Sequence, residues 1–196
     1  MQNVVFIISG PAGAGKNTLW NLLKEEVGDM IEESISTTTR VPIRKWEKEG
    51  VDYYFVSKEI FEQKIHASEF LEFARVHTFY YGSTKGELER ITNAGKIPLY
   101  IIEPQGMVHI KPILEDKGYR VVTFFITPPS IDELKVRLGK RGTETEEQFE
   151  IRLATALTEY EQKELYDYHI INDTLDSAKK SLLDTIFLET NYSPLI

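Results

Sequence analysis

The apolar positions of this chain follow two alternating periods. Residues 4–8 form an unbroken β-branched and aromatic run, the pattern of a strand buried on both faces. The spacing then changes, and Leu19, Leu22, Leu23 and Val27 fall three and four apart, which predicts a helix burying those four side chains. The alternation repeats down the chain. Residues 33–36 predict a short strand, and 84–94 a helix opened by the box Thr84-x-x-Glu87 and closed by Gly95. Residues 97–102 predict a buried strand, 107–116 a helix and 120–126 a further strand. Ser130-x-x-Glu133 opens a helix to about Leu138, and Thr143-x-x-Glu146 opens a longer one to about Leu165. Residues 168–171 and 175–189 complete the series as strand and helix. Strands separated by helices predict an α/β fold, a parallel sheet with helices on both faces.

Residues 37–83 break that rhythm. Short strands at 52–56, 70–76 and 80–82 surround a helix near 58–66, so the expectation is a core of 1–36 and 84–196 carrying a small mixed α/β insertion at 37–83. Between the first strand and first helix lies Gly10-Pro11-Ala12-Gly13-Ala14-Gly15-Lys16-Asn17-Thr18. Glycines let backbone N–H groups converge, the helix dipole favours an anion, and a lysine adds a positive charge. Strand, glycine turn and helix in this order predict a P-loop that cradles a nucleotide's phosphates. Its spacing, Gly10-x4-Gly15-Lys16, fits; Asn17 stands where the pattern has Ser or Thr. A hydroxyl there ordinarily meets Mg²⁺, so Asn17, through its amide oxygen, is the candidate metal ligand.

Composition narrows the class. The 196 residues include no cysteine, which excludes disulfides and thiolate metal sites. Apolar runs are far shorter than the ~20 residues of a membrane span, and no secretory leader is apparent; a cytoplasmic enzyme without a membrane partner is expected. A net charge of −8 argues against nonspecific nucleic-acid binding. Anionic substrates therefore need local cations, and two segments concentrate them. Ser36-Thr-Thr-Thr-Arg40-Val-Pro-Ile-Arg44-Lys45 combines hydroxyls with guanidiniums, which suit phosphate oxygens, although a solvated loop fits equally. Arg137 and Arg141 flank a glycine-broken helix end, with Arg152 beyond; they could swing together over a ligand, although a basic helix terminus complementing its dipole fits equally.

Several pieces recur together in an order that resembles the guanylate kinase family: Ser36-Thr-Thr-Thr-Arg40, Gly50-Val-Asp-Tyr53-Tyr-Phe-Val56, Phe70-Leu-Glu72-Phe, Tyr80-Tyr81-Gly82-Ser83, Gln105-Gly106, Pro128-Pro129-Ser130, Arg141-Gly-Thr-Glu-Thr-Glu-Glu147 and Asn172-Asp173. The resemblance spans about residues 3–190. It implies the P-loop nucleoside-monophosphate-kinase fold, a GMP-binding insertion at 37–83 and a helical lid at about 137–152. It also implies phosphoryl transfer from ATP to GMP with Mg²⁺. By this resemblance Lys16, Arg137, Arg141 and Arg152 are catalytic. Gly10 to Thr18 with Asn172 and Asp173 bind ATP, the last two near its adenine. Glu72 selects guanine, Ser36 and Ser83 meet other polar edges of the base, Arg40, Arg44, Tyr53 and Tyr81 hold the acceptor phosphate, and Glu103 completes the GMP-binding set. Placing Arg44 requires Ile43 to be an insertion. His77 is read as structural or solvated.

The chain departs from the family pattern at Asn17, at Trp46 where a glycine is usual, at Ile101 where an acid is usual, and at Glu103 in place of aspartate. These departures leave open a related enzyme acting on another phosphorylated acceptor. A non-catalytic phosphopeptide-binding module is the third reading, and it has no use for Gly13, Gly15, Lys16 and the lid arginines.

Overall fold

The computed structural model describes residues 3–43, 45–76, 78–139 and 146–191, the side chain of Gln148 excepted. Its elements, in order, are β1 (Val4–Ser9), α1 (Lys16–Val27), β2 (Ile31–Glu33), β3 (Thr37–Thr38), β4 (Tyr54–Phe55), α2 (Lys58–His66), β5 (Phe70–Val76), β6 (Phe79–Thr84), α3 (Lys85–Asn93), β7 (Ile97–Ile101), α4 (Pro104–Asp116), β8 (Arg120–Thr127), α5 (Ile131–Gly139), α6 (Glu146–Tyr160), a 3₁₀ turn (Glu161–Leu165), β9 (Tyr168–Ile171) and α7 (Leu175–Thr190).

Five strands make an all-parallel sheet in the order β2-β7-β1-β8-β9. The central β1 explains its own composition. Val4, Phe6 and Ile8 face one layer, against Leu19, Trp20, Leu23 and Val27 of α1 and Leu182 and Ile186 of α7. Val5 and Ile7 face the other, against Leu88 of α3 and Met107, Ile110 and Leu114 of α4. Side chains alternate along a strand, so a strand covered on both faces must be apolar at every position.

A second sheet, β4-β3-β6-β5, lies between β2 and α3 in the chain. It is mixed: β3 runs parallel to β4 and antiparallel to β6. Phe61 of α2 anchors it, stacked on Phe70 at 4.4 Å and on Tyr80 at 5.3 Å between ring centroids. A third small cluster joins Leu134 and Leu138 of α5 to Phe149, Leu153 and Ala156 of α6, with Ala12 packed against it.

Several boundaries differ from the sequence expectation, each for a packing reason. Leu22 is 37% exposed while Trp20 is 1% exposed; the buried stripe runs through 16, 19, 20, 23 and 27, and at 100° per residue position 22 falls on its flank. The strand expected at 33–36 occupies 31–33; Ser34 N–H still reaches Leu99 O at 2.8 Å before the chain leaves for the second sheet. Helix α4 begins at Pro104 rather than 107, because a proline at the first helical position loses no needed donor. The helix expected to run to Leu165 changes to a 3₁₀ turn at Glu161. Thr143, its expected cap, lies outside the described residues.

Candidate active site

The glycine turn is built for close backbone approach. Gly10 has φ +142°, and a Cβ there would stand 2.1 Å from Ile126 O. Gly15, at φ +92°, is the N-cap of α1 and supplies no side-chain cap, so the first N–H groups of the helix face the loop without a side-chain acceptor. Lys16 is 9% exposed and folds back over the turn, donating to Gly10 O at 2.5 Å with Pro11 O at 3.4 Å. Pro11 and Ala14 are buried, Ala12 and Gly13 half-buried, and Asn17 and Thr18 exposed.

The turn is held from behind by the opposite end of the chain. Asn172, 3% exposed, donates its side-chain amide to Ala14 O at 2.8 Å, and its backbone N–H to Thr127 O. Its carbonyl accepts from Arg137 at 3.0 Å, and Arg137 Nε pairs with Glu133 at 2.8 Å. Asn172 therefore buttresses the loop directly, while the adjacent Asp173 is exposed. Arg152 is half-buried on α6.

Glu103 is the N-cap residue of α4 and makes no capping bond with its side chain. Its carboxylate stands 3.6 Å from Lys16 Nζ, and Oε2 is shut off from water with no hydrogen-bond partner. Glu159 of α6 joins this corner. Burial first, then the neighbouring Glu103 charge, push its carboxyl up to about 7, against the pull of Lys16 and the Ala12 N–H.

On the second sheet Glu72 and Ser83 face each other across β5 and β6. Both are buried, and Ser83 Oγ donates to Glu72 Oε1 at 2.9 Å. Burial pushes the Glu72 carboxyl up to about 7, despite the Ser83 hydroxyl and N–H. Gly106 in the first turn of α4 leaves room for it, since a Cβ there would lie 3.4 Å from Glu72 Oε2. The same short turn thus presents Glu103 to the P-loop and Gly106 to Glu72.

Arg40, Tyr53 and Tyr81 also converge. The Arg40 guanidinium lies 5.5 Å from the Tyr53 ring centroid and 5.8 Å from that of Phe55, and Tyr53 meets Tyr81 edge-on at 5.9 Å. Glu47 grips Arg40 through both carboxylate oxygens at 2.5 Å. Burial, then Tyr81, push the Tyr53 phenol up to about 12, with Glu103 contributing to the shift. Ser36 is half-buried at the entrance to β3, its carbonyl accepting from Tyr54 N–H at 2.9 Å. Arg44, Arg141 and His77 lie outside the described residues.

Three participants escaped the sequence reading: Glu47, Glu159 and the loop-buttressing amide of Asn172. Glu47 had one signal, an acid two residues beyond the cationic run. The other two depend on contacts between distant parts of the chain. Among the described residues no cluster of three or more His, Cys, Asp or Glu is placed to hold a metal ion, and no helix is long and apolar enough to cross a membrane.

Comparison with known proteins agrees with this geometry. Residues 2–189 match the guanylate kinase family model. The chain is 44% identical over 186 residues to a guanylate kinase of Protochlamydia amoebophila, covering 94% of this chain and 90% of that one. It is 43% identical over 182 residues to one of Campylobacter jejuni strain RM1221, covering 93% and 87%. The crystal structure of guanylate kinase from Anaplasma phagocytophilum superposes with a TM-score of 0.74 at 30% identity, covering 97% of this chain and 87% of that one. A P-loop facing a buried carboxylate across one helix turn, with relatives matched over nearly the whole length, establishes that the chain belongs to the guanylate kinase family.

Proposed function

We propose that this chain transfers the γ-phosphoryl group of ATP to GMP or dGMP, giving ADP and the corresponding diphosphate. The observation that carries this reading is Glu72. Ionised, it only accepts hydrogen bonds, and guanine offers two adjacent donors, N1–H and the exocyclic amine, where adenine has a bare N1 acceptor. With Oε1 already fixed by Ser83, the carboxylate is oriented before the base arrives. A preformed, buried acceptor discriminates strongly, because a base without those donors leaves it desolvated and unpaired.

The acceptor's phosphate would lie at Arg40, Tyr53 and Tyr81, with Arg44. Arg40 is held in advance by Glu47 and by the aromatic rings beneath it. The donor's phosphates would take the N–H groups of the P-loop, and Lys16 would exchange Gly10 O for phosphate oxygen. An oxygen of the acceptor phosphate forms the new bond to Pγ as the bridging bond to the β-phosphate breaks, and ADP departs with that electron pair. The nucleophile is already anionic, so no general base is needed. The transition state is loose and highly charged, and the chain's contribution is alignment and charge neutralisation by Lys16, Arg137, Arg141 and Arg152.

Mg²⁺ fits beside Lys16. Glu103 Oε2 is buried without a hydrogen-bond partner, and Asn17, exposed in the first turn of α1, carries an amide oxygen. This set of few protein oxygens suits an ion that keeps waters and phosphate ligands. When bound, the ion neutralises charge on the β- and γ-phosphates. Asn17 and Glu103 would hold it.

The test is ADP release from ATP and Mg²⁺ with GMP, dGMP, AMP, CMP and UMP, beside a Lys16→Ala control. Turnover confined to guanine nucleotides and lost in the control supports the proposal. ATP binding without turnover of any acceptor overturns it.

A further inference from the structure

The box Thr84-x-x-Glu87 predicts a glutamate that reaches back to its own helix N-terminus. Thr84 does cap α3, accepting from Glu87 N–H at 3.3 Å. The Glu87 side chain goes elsewhere. It is 4% exposed and meets four donors from three parts of the chain. Ile35 N–H reaches Oε2 at 2.9 Å, and the Tyr54 hydroxyl reaches Oε1 at 3.2 Å. Arg90 closes a two-pronged pair from the next turn of α3, at 2.9 and 3.0 Å. Arg90 in turn binds Glu32 of β2, which Lys96 also approaches at 3.3 Å. Burial pushes the Glu87 carboxyl up, but Arg90, the Ile35 N–H and the Tyr54 hydroxyl outweigh it, so it sits below the ordinary carboxylate value.

The location of these donors gives the network a role. Ile35 is in the crossing between the two sheets, and the next residue is Ser36, which the family resemblance implies meets the base. Ser36 is bounded on one side by the Ile35 N–H bonded to Glu87, and its own carbonyl takes the Tyr54 N–H at 2.9 Å. Tyr54 returns through its hydroxyl to the same carboxylate. Backbone and side chain of Tyr54, the crossing strand and the core helix are thus tied at one point. Glu87 and Tyr54 also line an open crevice with Thr37, Thr84 and Lys85, so this point lies where the second sheet meets the core.

We infer that Glu87 is a positioning residue for the GMP half of the cleft, holding Ser36 and the β3–β4 pair at a set angle to the core through Ile35 N–H and the Tyr54 hydroxyl. It touches no substrate. Its effect passes through Ser36 and the second sheet, so it bears on acceptor binding and leaves the P-loop alone. The inference rests on the GMP-kinase reading for its kinetic consequence but not for its structural one.

Two measurements separate those parts. The first is hydrogen exchange, followed by mass spectrometry, on peptides covering residues 34–39 and 53–56 in the nucleotide-free wild type, Glu87→Gln and Tyr54→Phe. Faster exchange in both peptides of Glu87→Gln, with the P-loop peptide unchanged, is expected. Unchanged exchange at 34–39 overturns the inference whatever the substrate proves to be. The second is steady-state kinetics of the same proteins. Glu87→Gln should raise KM for GMP about 10-fold, the equivalent of one charge-assisted hydrogen bond, with kcat and KM for ATP little changed. Tyr54→Phe, which keeps the ring and the fold, should shift KM for GMP in the same direction by less. An equal rise in KM for both nucleotides, or a fall in thermal stability with no change in either KM, assigns Glu87 a purely structural role and overturns the inference. If the wild type turns over no GMP, the functional reading fails, and the exchange result still decides the positioning claim.

Discussion

Replacing Glu72 with glutamine should make the protein more stable and less active. Raising a carboxyl from 4.5 to about 7 makes its ionised form ~3 kcal/mol less favourable in the fold than in the unfolded chain. The sign follows from linkage: a raised carboxyl contributes stability that is fully present below 4.5 and lost as pH rises through about 7. At pH 8 the wild type carries the whole penalty. Glutamine carries none of it, and its amide oxygen can still accept from Ser83. Allowing for imperfect amide pairing, Glu72→Gln should gain ~2 kcal/mol at pH 8, raising Tm by roughly 4–8 °C for a chain of this size. At pH 5 the gain should shrink below ~1 kcal/mol, because the wild-type carboxyl is then largely neutral. Activity should move the other way. Glutamine offers guanine one acceptor and confronts its second donor with another, so kcat/KM for GMP should fall by ~10²–10³-fold, or ~3–4 kcal/mol. Calorimetry across pH 5–8 and GMP kinetics across the same range are the assays. Wild-type kcat/KM should rise through pH 7 by more than ionisation of the GMP phosphate, with its second pKa of about 6, can supply; the variant should lose the part that Glu72 supplies and keep those of the phosphate and of Glu159, whose carboxyl is also pushed up to about 7. A lower Tm for Glu72→Gln at pH 8, or GMP kinetics left intact, would refute the reasoning.

Three further outcomes test other parts of the site. Gly15→Ala must hold a Cβ at φ +92° and 2.4 Å from the Asn172 amide; left-handed strain alone is about 1–2 kcal/mol, so calorimetric titration should show ATP binding weakened at least ~10-fold. Gly82→Ala places a Cβ 2.8 Å from the Phe70 ring and 3.0 Å from Glu72 O, and overpacking of ~1–3 kcal/mol should appear as a lower urea midpoint. Asn17→Thr should lower the Mg²⁺ concentration needed for half-maximal rate, by up to about tenfold for ~1.4 kcal/mol of better ligation; an unchanged Mg²⁺ dependence would remove Asn17 from the metal's surroundings.

What the sequence by itself determined is what short spacing encodes. An unbroken apolar run at 4–8 needs cover on two faces, and β1 has it. Glycines at 10, 13 and 15 before a helix encode a tight turn, and all three adopt positive φ. Thr84 and Ser130 cap helices as their neighbours dictate. Contacts between distant residues were decided only by the tertiary structure. Asn172 holds Ala14 across 158 positions, and Glu87 holds Ile35 across 52. No local period distinguishes a glutamate that caps its own helix from one that ties two sheets together. Burial settled such choices, because an enclosed carboxylate or amide must take whichever donors or acceptors the packed fold brings within reach. Trp20 displaced Leu22 from the core for a related reason: periodicity names a helix face to within a flank, and the neighbouring α7 and sheet select the side chains that fill it. The pattern of residues therefore specified the elements and the backbone geometry of the loop, while packing specified which polar groups are partnered and how the two sheets are tied together.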